Sequence, residues 1–358
     1  MTDFNILAIN PGSTSTKIAC FVNEKCYFET NIKHSAEELS EFKSITDQFH
    51  FRKEIIIKVL LENKIDLNSF DLIMGRGGLV KPIPSGVYEV NDALINDLKY
   101  NTTKEHASNL GGLIAADIAE SLPKAKAYIT DPVVVDELQD VARYSGHPAF
   151  KRTSIFHALN HKAIARQYAK SIDKKYEDLN LIVIHMGGGV SVGAHCKGKV
   201  IDVNQTLDGE GPFSPERSGT LPSGDLVRLC YSGKYTESEV LKMVVGKGGM
   251  VAYLGTNSVI DIAKRAEDGD EEAKNVILAF AYQIAKYIGM MASVLYFDVD
   301  AILFTGGIAH NKHIIQLIKE RVEKIAPIFV FPGEDEMNAL AGNGLLVLRK
   351  EIEPVVYS

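Results

Sequence analysis

Little in this chain points toward secretion, a membrane or a nucleic acid. Its 358 residues contain only four cysteines, Cys20, Cys26, Cys196 and Cys230, and no CxxC pair. Free thiols in a reducing, cytoplasmic setting are therefore the expectation. There is no basic surplus either. Lys and Arg number 39 against 46 Asp and Glu, a formal net charge of -7. That balance argues against general nucleic-acid binding, which needs cations to neutralise phosphates, but a small anion needs only a few. The opening MTDFNILAINPG has no basic n-region and no long apolar stretch, so no signal peptide is expected. The most apolar long segment, 279–295, is interrupted by Gln283 and Lys286 and reads as a buried helix rather than a membrane span. GxxxxGK[ST] occurs nowhere, which excludes a Walker P-loop.

What is present is the composition of a globular protein, 46% hydrophobic and 24% charged, long enough for two domains. No low-complexity linker divides it, so the organisation has to come from pattern. The strand-like run Ile6-Leu7-Ala8-Ile9 ends in Asn10 and leads into Pro11-Gly12-Ser13-Thr14-Ser15-Thr16-Lys17. Leu181-Ile182-Val183-Ile184 ends in His185 and leads into Met186-Gly187-Gly188-Gly189-Val190-Ser191. In both places a second strand, a short turn (Asn23-Glu24-Lys25 or Lys197-Gly198-Lys199) and a third strand follow. Asn10 falls on His185 at an offset of 175 (185 − 10), close to half the chain. Two related domains explain this.

Helical patterns fill the intervals: a capping-box start at Ser35-Ala36-Glu37-Glu38, then 101–122, 153–171, 271–297 and 311–325. Strands alternating with helices, with a hairpin opening each domain, predict α/β architecture with mixed sheets. The expected division is 1–155 and 156–337, with a last helix at about 338–358 returning to the first domain.

Several segments carry chemistry. In the loop 10–17, Gly12 permits close backbone approach, and Ser13, Ser15 and Lys17 offer donors to anionic oxygen. An ordinary polar hairpin has the same look. Gly187, Gly188 and Gly189 cost backbone entropy that a bound phosphate or a crowded turn would justify. Thr305-Gly306-Gly307-Ile308 joins a buried strand to a helix, where backbone amides can meet a nucleotide. Arg76, between Gly75 and Gly77-Gly78, and Arg217, in Ser214-Pro215-Glu216-Arg217-Ser218-Gly219, can project a guanidinium fork toward carboxylate or phosphate. Asp131 ends a strand and suits a metal or a positioning role, or else a helix cap. Glu334, Asp335 and Glu336 offer a ligand for Mg²⁺, and acidic residues in a first helical turn also need no function. His157 and His161 share a helix face, but the glutamate of HExxH is absent, so contact with a phosphoryl group is preferred to zinc, with a satisfied buried histidine as the alternative. His106 and His185 are weaker candidates of the same kind.

Taken in order, these motifs resemble the acetate kinases and their relatives, the butyrate kinases. Ala8 to Lys17 is similar to the family's opening signature. Phe156-His157 with His161-Lys162 resembles its central motif, and Arg217-Ser218-Gly219 and Phe304-Thr305-Gly306-Gly307-Ile308 follow in the right order. The resemblance spans nearly the whole chain. It implies two duplicated actin-like ATPase domains with a cleft between them, and closure of two such domains over the cleft is expected to exclude water. It also implies ATP-dependent, reversible phosphorylation of a short-chain fatty acid with Mg²⁺, in a homo-oligomer. Residue by residue, it assigns Asn10, Ser13, Ser15 and Lys17 to the ATP phosphates, and His185, Gly187, Gly188, Gly189, Gly306 and Gly307 to the nucleotide. Arg76 and Arg217 would hold carboxylate and phosphoryl, His157 the transition state, Asp131 substrate or metal, and Glu336 Mg²⁺. Gly78, His106 and Phe156 would line the substrate pocket.

Departures from the acetate-kinase pattern favour the butyrate branch. Met-Gly-Gly-Gly after His185 replaces Leu-Gly-Asn-Gly, and Gly77-Gly78 replaces two valines. The missing side chains are expected to leave room for extra methylenes, each worth ~0.8 kcal/mol when buried. Glu105 before His106 has no assigned role. Rival readings are a kinase of acetate, propionate or isobutyrate, a sugar kinase using Asp131 as base, and an actin-like ATPase switch that phosphorylates no metabolite.

Overall fold

The computed structural model describes residues 3–100 and 106–358, so Glu105 and the start of the helix expected over 101–122 lie outside the described residues. The chain divides into two compact units, Met1–Val135 with Asp335–Ser358, and Asp136–Glu334. Both are α/β with mixed sheets.

The first unit contains β1 (Asn5–Pro11), β2 (Ser15–Val22), β3 (Lys25–Lys33), β4 (Leu72–Arg76), β5 (Val87–Glu89) and β6 (Lys126–Thr130), in the order β3-β2-β1-β4-β6-β5. The second contains β7 (Asn180–Met186), β8 (Val190–Cys196), β9 (Lys199–Val203), β10 (Ala301–Gly306) and β11 (Ile328–Pro332), in the order β9-β8-β7-β10-β11. In each unit three antiparallel strands lead into parallel ones. The repeat is thus present in three dimensions. β7 starts 175 residues after β1 (180 − 5), and the loop that closes the second hairpin, between Met186 and Val190, is one residue shorter than that between Pro11 and Thr16. The register shift at Cys20/Phe21 therefore matches the one at Ala194/His195 at an offset of 174 (194 − 20).

The central strands are continuous apolar runs because helices cover both faces of each sheet. On β4, Gly75 meets Gly111 of the helix Asn109–Glu120, while Leu72 and Met74 on the other face meet Gly344 of the helix Glu336–Leu348. On β7, Leu181 and Val183 pack with Ile164 and Tyr168, and Ile182 and Ile184 pack with Phe280 and Ile284. Phe280 and Ile284 belong to the helix Glu271–Val294, which is apolar and long enough to cross a membrane but here supplies the second unit's core.

The first boundary falls at Val135/Asp136 rather than near residue 155. Polar bonds tie the intervening segment to the second unit. Gln139 N–H donates to Ile201 O at 3.0 Å, Lys162 meets Glu137 at 2.6 Å, and Arg152 bridges Asp202 and Glu210 at 3.0 and 2.7 Å. The helix expected from 153 begins at Ala158, because Thr206 N–H pairs with Ile155 O at 2.9 Å and holds that stretch extended. The last helix begins at Glu336, two residues before the expected 338.

Candidate active site

The sequence-predicted residues form two clusters, one in each unit. In the first, Asn10 at the end of β1, Arg76 at the end of β4 and Glu336 in the first turn of the last helix converge. Asn10 Nδ2 donates to Glu336 Oε2 at 2.5 Å, Arg76 Nη1 is ion-paired with Glu336 Oε1, and it lies 3.5 Å from Asn10 Oδ1. The two charged side chains are only 16% and 14% exposed, so the pair is screened far less than one at the surface.

The loop after Asn10 rests on a residue that the sequence analysis missed. Arg52, fully buried, donates to the carbonyls of Gly12 (2.7 Å), Ser13 (3.0 Å) and Ser15 (3.0 Å), to Thr16 Oγ1 (3.1 Å) and to Gln48 Oε1 (2.8 and 3.0 Å). Burial pulls its guanidinium down to about 10, which still leaves it charged at neutral pH. Among the described residues no carboxylate pairs with it. Across a trans peptide the C=O and the following N–H point in opposite directions. Carbonyls of Gly12 and Ser13 that face Arg52 therefore turn the N–H groups of Ser13 and Thr14 outward, where both residues are exposed. Two outward amides above a buried cation make an anion seat. Ser13 lies in this seat, and Ser15 opens β2 beside it. Lys17 is drawn aside to Glu29 at 2.8 Å.

Asp131 follows β6 in a left-handed conformation (φ 39°), which is costly for a residue with a side chain. Its buried carboxylate accepts from Ser85 Oγ at 2.5 Å and from Gly86 N–H at 3.0 Å. His106 is exposed, and its Nδ1 meets Ser108 Oγ at 2.8 Å. The room expected at Gly77 and Gly78 is not there. A Cβ on Gly77 would sit 2.6 Å from Pro132, and one on Gly78 would sit 2.5 Å from Asn109 Oδ1 and 2.8 Å from Leu98. That Asn109 oxygen accepts the N–H of Leu79 at 2.7 Å, so Asn109 and Leu98 occupy the space a valine at position 78 would fill.

In the second unit the loop 187–189 brings the predicted groups together. A Cβ on Gly189 would lie 2.2 Å from Arg217 Nη1 and 3.2 Å from His157 Cε1, so only glycine lets these side chains share that corner. Arg217 Nη1 donates to Thr206 O at 3.1 Å, and its buried Nε has no partner among the described residues. Burial lowers its pKa, with Glu216 acting the other way. His157 caps the helix Ala158–Ser171, with its ring centroid 4.3 Å from that of His185. His185, buried at the end of β7, is 3.3 Å from Asn160 Nδ2 and 3.2 Å from Glu334 Oε1. Gly188 lies beside Glu216, and its carbonyl accepts from Ser214 Oγ at 2.7 Å.

Gly306 and Gly307 prove unlike each other. Gly306 has φ 91° and its missing Cβ would strike Met186 O at 2.3 Å, so its glycine serves the fold. Gly307 faces open space and leads a short 3₁₀ turn, where a ligand has access. Phe156 is 1% exposed and stands edge-on to His161 at 5.2 Å; in this structure it packs against a histidine rather than lining an open pocket. Four further buried residues stand behind His157: His161, which the sequence offered for phosphoryl contact and which instead lies fully buried, and Ser191, His195 and Tyr176, for which the sequence suggests no role. Strand register places Ser191 opposite His185 as Lys17 stands opposite Asn10 (191 − 17 = 174).

Comparison with known proteins gives the chain's family and fold. The model of the acetokinase family matches residues 144–348. Butyrate kinase 2 of Clostridium acetobutylicum is 57% identical, and butyrate kinase 1 of the same organism 55% identical, each over 99% of both chains. Among solved structures, the acetate kinase of Porphyromonas gingivalis superposes with a TM-score of 0.81 at 17% identity, covering 96% of this chain and 100% of that one. A propionate kinase from Francisella tularensis gives 0.76 at 20% identity, covering 95% and 98%. The fold is that of these kinases, two actin-like α/β units, and the chain belongs to the acetokinase family.

Proposed function

We propose that this chain is a butyrate kinase, a transferase that moves the γ-phosphoryl group of ATP to the carboxylate of butyrate and runs reversibly. Support comes from full-length identity to proteins named butyrate kinase. The observation that carries the chemistry is Arg217, a half-buried guanidinium whose buried Nε has no partner among the described residues and whose fork lies beside Gly189, close to His157.

Butyrate is ionised at neutral pH, so its oxygen attacks phosphorus without a general base. The new O–P bond gives butyryl phosphate, and the breaking bond leaves ADP with the electron pair. The obstacle is repulsion between two anions, which fixed cations and donors relieve. In this reading Arg76 and Arg217 hold carboxylate and phosphoryl oxygens, and His157 donates to the transferring group. The Ser13 and Thr14 amides, charged from beneath by Arg52, seat a nucleotide phosphate. His185 and Gly307 border the nucleotide, and Asp131 sets the loop with Ser85.

The residues fit magnesium that arrives with the nucleotide. Among the described residues no three His, Cys, Asp or Glu side chains form a metal cage. Magnesium keeps water and phosphate oxygens as most of its ligands, and one carboxylate suffices. Glu336 has that capacity, since Oε1 faces Arg76, Oε2 accepts from Asn10, and each oxygen has a further lone pair. The metal would supply charge neutralisation on the phosphates. Four free cysteines suit the cytoplasm, and a homo-oligomer there is part of the same proposal.

The test is acyl-phosphate formation, trapped with hydroxylamine, from Mg-ATP and formate, acetate, propionate, butyrate, isobutyrate or valerate. A kcat/KM maximum at butyrate is expected. A maximum at another acid would overturn the acyl assignment, and ATP hydrolysis without acyl phosphate would overturn the kinase. Arg217→Ala is expected to lower kcat about 10³-fold with its melting temperature unchanged, as for loss of a transition-state charge contact.

A further inference from the structure

Behind His157 an unbroken polar chain runs into the core of the second unit. His157 Nδ1 lies 2.8 Å from Ser191 Oγ, which lies 2.8 Å from His161 Nε2. His161 Nδ1 is 3.1 Å from His195 Nε2, and His195 Nδ1 is 2.6 Å from the Tyr176 hydroxyl. Ser191, His161 and His195 are all 0% exposed. Gly193 makes this possible, because a Cβ there would press to 3.2 Å from His161 Nδ1.

Each link needs one donor and one acceptor, and neutral imidazole has one of each. Burial holds both His161 and His195 well below the ordinary histidine value, and the facing charges of Lys162 and Arg166 add to the effect at His195. Ser191 Oγ could accept from both imidazoles, but it is fully buried and among the described residues its side chain meets only His157 Nδ1 and His161 Nε2, so its one proton must go to one of them. The chain then has only two orders, all protons pointing toward His157 or all pointing away. The Tyr176 end decides. Its 2.6 Å contact has the length of an O–H donor, whereas N–H groups reach oxygen at about 2.9 Å. A phenol is also a better donor than acceptor toward imidazole nitrogen. Tyr176 therefore donates to His195 Nδ1, and His195 Nε2–H donates to His161 Nδ1. His161 Nε2–H then donates to Ser191 Oγ, and the serine hydroxyl donates to His157 Nδ1.

We propose that Tyr176, His195, His161 and Ser191 are positioning residues that lock His157 in the Nε2–H tautomer, so that it presents a neutral N–H donor to the transferring phosphoryl group. The last clause rests on the proposed kinase reading; the tautomer does not. Locking matters because a free histidine exchanges tautomers, and only one of them places a donor on the outward nitrogen.

The test is long-range ¹H–¹⁵N NMR of the full chain labelled at histidine nitrogen, with the His157 signals assigned from the His157→Gln spectrum. The expected result is an unprotonated Nδ1 and a protonated Nε2 on His157. In Tyr176→Phe, which keeps the ring and removes the leading donor, the His195 and His157 signals are expected to move toward tautomer averages. There kcat should fall about tenfold at unchanged KM, the scale of one lost hydrogen bond. A proton on His157 Nδ1 in the wild type, or an unchanged His157 signal in Tyr176→Phe, overturns the proposal. Full activity in His157→Gln would instead remove the phosphoryl contact, leaving the tautomer to be decided by the spectra alone.

Discussion

The two hairpins share a backbone and differ in what lies beneath their loops. Under the first is a single buried cation, Arg52, whose partners are three carbonyls, a hydroxyl and an amide oxygen. Under the second is a neutral chain of imidazoles and hydroxyls, and the cation, Arg217, stands beside the loop. The equivalent positions Lys17 and Ser191 show the same divergence: one makes a surface ion pair with Glu29, the other is a fully buried link. Duplication conserved strand order and register, while the polar support was solved twice. The first solution places positive potential where an anion is expected; the second fixes which nitrogen carries a proton.

Replacing the cation should break the comparison most severely. Arg52→Met leaves the Gly12 and Ser13 carbonyls without that donor and the Ser15 carbonyl with only the Gly12 N–H. At 1–3 kcal/mol for an unsatisfied buried group, about 4 kcal/mol of stability should be lost, read by chemical denaturation, together with a raised KM for ATP. A loss under about 1 kcal/mol would mean that the loop holds itself.

Next come the glycines. Gly189→Ala drives a methyl into Arg217 and His157 and is expected to cut kcat about 10²-fold, the scale of a 1 Å misplacement. Gly12→Ala meets nothing closer than 3.5 Å and should leave the melting temperature within about 1–2 °C, since it creates no clash.

Mild acid should sharpen the contrast. His161 and His195 are depressed in the folded state, so below about 6.5 the unfolded chain binds protons that the folded one refuses. Stability is present above that value and lost as pH falls through it, by about 1 kcal/mol per histidine at pH 5.5. The first unit has one such group beside its loop, His34, lowered by burial and by Arg52. His195→Gln should flatten the pH dependence of stability more than His34→Gln does.

Much of this was legible in the residues. The half-chain offset marked both hairpins, and Asn10, Arg76, Gly189 and Arg217 stood out because glycine or a strand end flanked them. Arg52 did not, since it sits in Phe49-His50-Phe51-Arg52-Lys53 with no local mark, 40 positions from the carbonyl it holds. The pocket argument failed at Gly78 for a related reason. A sequence shows which side chain is missing, but not that Asn109 and Leu98 close over the gap. Tyr176 and His195 were invisible because a hydrogen-bonded chain depends on distance across a core, which pattern along the chain does not encode.

Glu336 belongs to the first unit although about 200 residues of the second separate it from the rest of that unit. A ribosome adding about 5–20 residues per second therefore finishes the second unit entirely before it makes the helix that covers Leu72 and Met74. Through that interval one face of the first sheet lacks its cover, and Arg76 and Asn10 lack Glu336. The first part of the chain to emerge is thus the last to be completed, and a nascent protein stalled before residue 335 has no assembled carboxylate corner.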